Sequence, residues 1–402
     1  SQAHLPLAEQ TTAVGHAVRF VYLMAGVAHL ARLSKNEGKR QDCLRLWKNM
    51  VQRQLYITGG IGSQSSGEAF SSDYDLPNDT VYAESCASIG LMMFACRMLE
   101  LEADSQYADV MERALYNTVL GGMALDGKHF FYVNPLEVQP KSLKFNHIYD
   151  HVKPVRQRWF GCACCPPNIA RLLTSLGHYI YTPREEALYI NLYVGNQVEI
   201  PVGEKTLRLR ISGDYPWREQ VKIVIESPST VNHTLALRLP DWCEDPHITL
   251  NGAPVTQDIR QGYLHIHHLW QEGDTLMLTL PMPVRRVYGN PLVRHQAGQV
   301  ALQRGPLVYC LEQADNGEAL HNLLLPRDAR FTVFEGKGLF ARNMLIQAPG
   351  YRKHAENADA QNLWSYDHPL ATPHSQTLTF IPWFSWANRG EGEMRIWVRE
   401  AE

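Results

Sequence analysis

Cys162, Cys164 and Cys165 lie within four residues of one another, in Gly161-Cys-Ala-Cys-Cys-Pro-Pro167. Thiols this close cannot easily pair with each other, because a disulfide needs a specific separation and dihedral. They suit a soft metal better, since zinc takes thiolates in a tetrahedron and keeps them deprotonated. A second cluster, Tyr82-Ala-Glu84-Ser-Cys86, lies upstream. Glu84 and Cys86 with Cys164 and Cys165 would make a Cys3Glu site, and zinc is the metal expected. Structural zinc sites are usually built from two Cys-x-x-Cys knuckles, which this sequence lacks, and seldom use glutamate. That tilts the reading from a structural clip toward chemistry. The isolated Cys43, Cys96, Cys243 and Cys310 read as ordinary buried thiols.

The elements that must position these residues fall into two regimes. Up to about residue 180 the periodicity is helical: Thr12 to Leu33, with Val14, Val18, Val21, Met24, Ala25 and Ala28 on one face, then 44–55, 85–101, 107–120 and 169–180. Pro166-Pro167 reads as a helix start. Long Gly- and Ser-rich loops join the helices, notably Thr58 to Glu68, which suggests an α/α-barrel or related helical solenoid. After about residue 185 short alternating runs take over, with Asn251-Gly252 as a hairpin turn. The fold class expected is a helical (α/α) domain, residues 1–182, followed by two β-sandwich domains, 183–285 and 286–402.

Composition narrows the function classes. Lys and Arg number 38 against 41 Asp and Glu. That near-balance gives no electrostatic reason to expect nucleic acid or an anionic membrane. No apolar run reaches the roughly 18–20 residues that span a bilayer. Several unpaired cysteines favour a reducing compartment, so a cytoplasmic location is expected. A homodimer is compatible with these features.

Gly59-Gly-Ile-Gly62, Gly67-Glu68, Glu84-Ser-Cys86 and Cys162-Ala-Cys-Cys-Pro-Pro-Asn168 together resemble the β-L-arabinofuranosidase family of zinc–cysteine glycoside hydrolases, family 127. The resemblance covers most of the chain and implies a retaining exo-glycosidase acting on a furanose of an oligosaccharide or glycoconjugate. It implies Glu84, Cys86, Cys164 and Cys165 as zinc ligands, Cys164 doubling as nucleophile, and Glu68 as general acid/base. It further implies that His16 and Tyr132 contact the sugar, with Glu112 a third site residue. Cys162 would not bind the metal. The family's (α/α)6 barrel uses about a dozen helices and only about five are visible here, so the chain is expected to begin inside the barrel. Two other classes stay open. One is a structural-zinc or carbohydrate-binding protein without catalysis. The other is an α/α-barrel hydrolase or lyase using carboxylates, for which Asp73, Asp75 and Asp79 are candidates.

Overall fold

A computed structural model describes residues 2–256, 258–355, 363–366, 369 and 371–401. The helical part contains α1 (Ala17–Ser34), α2 (Glu37–Arg53), α3 (Ser85–Leu101), α4 (Ser105–Ala114), the single turn α5 (Pro140–Leu143) and α6 (Cys165–Thr174). In α1 the buried residues Ala17, Phe20, Val21, Met24, Val27, Ala28 and Ala31 repeat at three- and four-residue steps, the spacing of one helix face. The helix begins at Ala17 rather than Thr12, because Gly15 takes φ +78 and His16 is extended. α1 packs closely on α3: a Cβ at Gly90 would meet Val21 Cγ2 at 2.4 Å. Trp47 of α2 anchors the same core edge-on against Phe94 and Tyr107. Beyond α4 the helix widens into a π-turn over Leu115–Val119.

Two sheets follow. One has five strands in the order Ile259–Arg260, Tyr263–Trp270, Val231–Arg238, Leu188–Ile190, Tyr181–Pro183. The other has six, in the order Asn196–Val202, Lys205–Ser212, Gln220–Ile225, Thr275–Thr279, His247–Leu250, Ala253–Pro254. Their inward residues, among them Leu207, Leu209, Leu235, Leu237 and Ile266, join the helical residues in one continuous core. Asn251 (φ 51) and Gly252 (φ 83) form the tight turn expected of Asn-Gly between two strands.

The remaining strands form one ten-stranded sheet built around the long hairpin of Met344–Ala355 with Ala371–Pro382. This sheet also recruits a strand from the helical region, where Glu137–Val138 pairs antiparallel with Met394–Arg395. Arg395 Nη1 meets Glu137 Oε1 at 2.5 Å. Nearby, the buried Arg156 guanidinium donates to the carbonyls of Gly121, Phe384 and Trp386 and lies 4.6 Å over the Phe131 ring. The loop leading to the cysteine cluster is therefore tied at its base to the last sheet. Among the described residues no helix is long and apolar enough to cross a membrane.

Candidate metal–thiolate site

Two helix N-termini converge on the cysteines. Glu84 occupies the N-cap position of α3 and Cys86 sits in its first turn; Cys164 occupies the N-cap position of α6 and Cys165 is its first residue. Prolines fit the next two positions because first-turn N–H groups have no partner within the helix. Both helix dipoles turn their positive ends toward the donor atoms, which favours anions there. Ser85 Oγ donates to the Phe131 carbonyl at 2.9 Å, and Asn134 Nδ2 donates to the Ala83 carbonyl, so the start of α3 is fixed. A Cβ at Gly122 would lie 2.8 Å from Ser85 Oγ and 3.0 Å from Ile169 Cδ1, so only glycine lets α3 and α6 approach this closely.

The structure brings Glu84, Cys86, Cys164 and Cys165 together, with their donor atoms all within 4.8 Å of one another. The Cys86 and Cys165 sulfurs are 3.4 Å apart, and Cys164 Sγ lies 3.4 Å from Glu84 Oε1. Four groups able to carry negative charge are crowded into a largely buried space. Burial first, then Cys86 and Cys164, push the Glu84 carboxyl up to about 10. Glu84 Oε2 is buried with no hydrogen-bond partner. A buried orphan oxygen among three thiols is a set that a soft divalent cation would satisfy, so the residues present fit a thiolate-bound metal.

Cys164 and Cys165 are adjacent yet differently placed. Cys165 is fully buried, whereas Cys164 is partly exposed and lines a cavity of about 580 Å³. The Cys164 thiol is lowered to about 5, chiefly by a hydrogen bond from Cys165 and also by the Tyr132 hydroxyl 3.1 Å away, with burial opposing. Cys165, as the donor, is pushed upward. Cys162 is exposed and also borders the cavity.

Glu68 faces the same cavity. It closes a turn in which Gly67 (φ 71) and Glu68 itself (φ 51) are left-handed, a conformation costly for a residue with a Cβ. Two partners hold its carboxylate: Tyr82 Oη donates to Oε1 at 3.0 Å, and His16 Nε2 lies 2.7 Å from Oε2. His16 caps α1. His16, Glu68 and Glu84 each present an atom within 4.8 Å of the others, so the carboxylate sits beside the thiol cluster. Tyr82 stacks edge-on against Tyr132, with centroids 6.1 Å apart. Residue type and spacing alone give Tyr82 no role. Its signal was its place two residues before Glu84, inside the Tyr82-Ala-Glu84-Ser-Cys86 cluster.

Glu112 is a correction. It does not line the cavity. It is 1% exposed and bound by Arg238 at 2.5 Å, by Trp242 Nε1 at 3.0 Å and by the Tyr215 hydroxyl. Its partners belong to the β region, so it answers a buried guanidinium rather than a ligand. Asp73, Asp75 and Asp79 also lie outside the cavity lining. Asp73 takes Arg53 and Asn49, Asp75 takes Arg294, and Asp79 takes the Tyr149 hydroxyl.

Comparison with known proteins gives three consecutive family matches. The β-L-arabinofuranosidase GH127 catalytic domain matches residues 1–178, its middle domain 187–282, and the glycoside hydrolase family 127 C-terminal domain 284–399. A non-reducing end β-L-arabinofuranosidase of Bifidobacterium longum subsp. longum is 41% identical over 99% of this chain and 61% of its own length. A crystal structure of a GH127 β-L-arabinofuranosidase from Geobacillus stearothermophilus T6 superposes with TM-score 0.95 at 48% identity, over all of this chain and 63% of that one. A second solved structure, a GH127 β-arabinofuranosidase, gives TM-score 0.91 at 35% identity, over 62% of its chain. This chain thus spans about three-fifths of the length of these relatives.

Proposed function

The chain belongs to glycoside hydrolase family 127, and from that premise we propose that it is a retaining exo-glycosidase releasing β-L-arabinofuranose through a covalent bond to Cys164. The observation that carries this reading is the pairing in one open cavity of a partly exposed thiol, 3.1 Å from the Tyr132 hydroxyl, with the Glu68 carboxylate held by Tyr82 and His16. In the first step the Cys164 thiolate attacks the anomeric carbon. The C–O bond breaks, its electron pair stays on the leaving oxygen, and Glu68 supplies the proton. In the second step water attacks the same carbon, Glu68 takes its proton, and the C–S bond breaks to return the thiolate. Two inversions give net retention. Tyr132 supports the sulfur anion before attack and again as the C–S bond breaks, and His16 and Tyr82 orient Glu68. We assign His16 and Tyr132 to sugar contacts as well.

Glu84, Cys86, Cys164 and Cys165 would hold zinc, which when bound keeps the sulfurs ionised at neutral pH. The helical region, residues 1–182, is read as part of an (α/α)6 barrel, and residues 183–285 and 286–402 as β-sandwich domains. The free thiols favour a reducing, cytoplasmic setting.

The test joins a metal assay to two substitutions, with activity read on a panel of nitrophenyl furanosides. Cys164→Ser should abolish turnover yet retain most of the zinc, since three ligands remain. Cys165→Ser should lose the metal and activity together. Near-normal glycosidase activity in Cys164→Ser would return the cluster to a structural role.

A further inference from the structure

Part of the cavity wall is built from side chains that the reaction above does not use. Tyr22, Asn168 and Arg171 form a closed triangle there. Arg171 Nη2 donates to Tyr22 Oη at 2.7 Å and to Asn168 Oδ1 at 2.6 Å, and Asn168 Nδ2 donates to Tyr22 Oη at 3.1 Å. The guanidinium also lies 5.9 Å from the centre of the Tyr22 ring. Its planar head is thus fixed through Nη2 and one ring, and among the described residues Nη1 and Nε have no hydrogen-bond partner.

Helical spacing ties this part of the wall to the reactive centre. Cys164, Asn168 and Arg171 fall four and then three residues apart, on one face of α6 and its cap. His16, Arg19 and Tyr22 follow at three-residue steps on α1 and its cap. Arg19 lines the cavity too. Most arginines of this chain meet a carboxylate, as Arg53 meets Asp73 and Arg238 meets Asp109. Among the described residues, no carboxylate lies within ion-pair distance of Arg19 or Arg171. A furanose ring carries no charge and has no need of two guanidinium groups. Because Tyr22 and Asn168 occupy Nη2, which both bidentate forks share, Arg171 offers a carboxylate a single charge-assisted hydrogen bond from Nη1 or Nε.

We propose that Arg19 and Arg171, the latter set by Tyr22 and Asn168, form a leaving-group subsite that prefers an aglycone bearing a carboxylate. The inference rests on the reading of this cavity as a furanosidase site and adds the chemistry of the group released.

Binding separates the two readings without turnover. The probes are two sulfur-linked, non-hydrolysable arabinofuranosides with identical aglycones, one a free carboxylate and one its methyl ester, titrated calorimetrically into the zinc-loaded chain. The readout is the acid-to-ester affinity ratio within each protein. The unaltered chain should favour the acid about tenfold, the size of one good charged contact. Arg171→Gln should bring the ratio near one, and Arg19→Gln should lower it part of the way. Tyr22→Phe, which keeps the ring but removes the hydroxyl anchor, should also lower it. The preference should shrink as salt is raised. To learn whether uronic acids or amino acids supply the carboxylate, the acid probe is made in both forms, and either one being preferred over its ester supports the subsite. Equal binding of acid and ester, or a preference surviving in the Arg19→Gln/Arg171→Gln double variant, overturns the subsite and leaves the furanosidase reading intact. Failure of both the acid and the ester to bind overturns both.

Discussion

Tyr132→Phe isolates one hydrogen bond at the reactive sulfur. The hydroxyl lies 3.1 Å from Cys164 Sγ and is among the groups that lower that thiol to about 5. A hydrogen bond to a charged group contributes about 1.5–3 kcal/mol, or one to two pH units at roughly 1.4 kcal/mol per unit. Cys164 and Tyr132 are both partly exposed, which favours the lower end. The substitution should therefore move the Cys164 titration from about 5 to about 6. The sign follows because the lost donor favoured the thiolate, so its removal favours the thiol. Metal-free protein is alkylated with iodoacetamide across a pH series, and modification of each cysteine is followed by peptide mass spectrometry, which keeps exposed Cys162 separate. At pH 5 the Cys164 rate should fall about fivefold as the thiolate fraction drops from one half to near one tenth. A Cys164 profile that stays in place, or Cys165 reacting first, would refute the assignment of roles to the two sulfurs.

Three further outcomes follow from the same geometry. Glu68→Gln should slow furanosides with poor leaving groups by about 10²–10⁴-fold and those with good leaving groups far less, as a series of aryl substrates would reveal. Arg238→Met strands Glu112 and Asp109 in the interior; it should cost about 3–5 kcal/mol in urea unfolding, while Glu112→Gln should leave binding of a thiofuranoside within about twofold. In metal-free protein the raised Glu84 carboxyl stabilises the fold fully below its ordinary value of 4.5, and that stability is lost as pH climbs toward about 10. Bound metal needs deprotonated ligands, so melting curves of the loaded protein should show the opposite trend over that range.

The density of Gly161 to Pro167 marked the cluster, because three thiols in four residues are rare enough to speak for themselves. What the sequence could not convey was why Cys164 and Cys165 differ. That depends on which one points into the helical core, and the start of α6 at Cys165 decides it. Glu112 entered the site only through the family resemblance, and nothing near it in the sequence points to its partner. Arg238 lies in a strand of the β region and reaches it only through tertiary packing. Helix α3 follows its apolar pattern end to end, from Ser85 to Leu101. The pattern before α1 misled, since the apolar residues near Val14 continue the helical spacing while Gly15 breaks the backbone. The strand Glu137–Val138 is two residues long, too short for any periodicity to announce it.

That short strand has a consequence for how the protein comes into being. The loop carrying Phe131, Tyr132 and the approach to the cysteines is sewn to residues 384, 386, 394 and 395 by pairing, by Arg156 and by the Arg395–Glu137 bridge. During synthesis those partners do not exist until hundreds of peptide bonds after the loop has left the ribosome, and contacts of such separation close slowly. The thiols must therefore wait, reduced and without their final frame, while both β regions are synthesised. A gene fusion or trimming scheme that treats the last sheet as a removable module would leave the nascent site in that unfinished condition permanently.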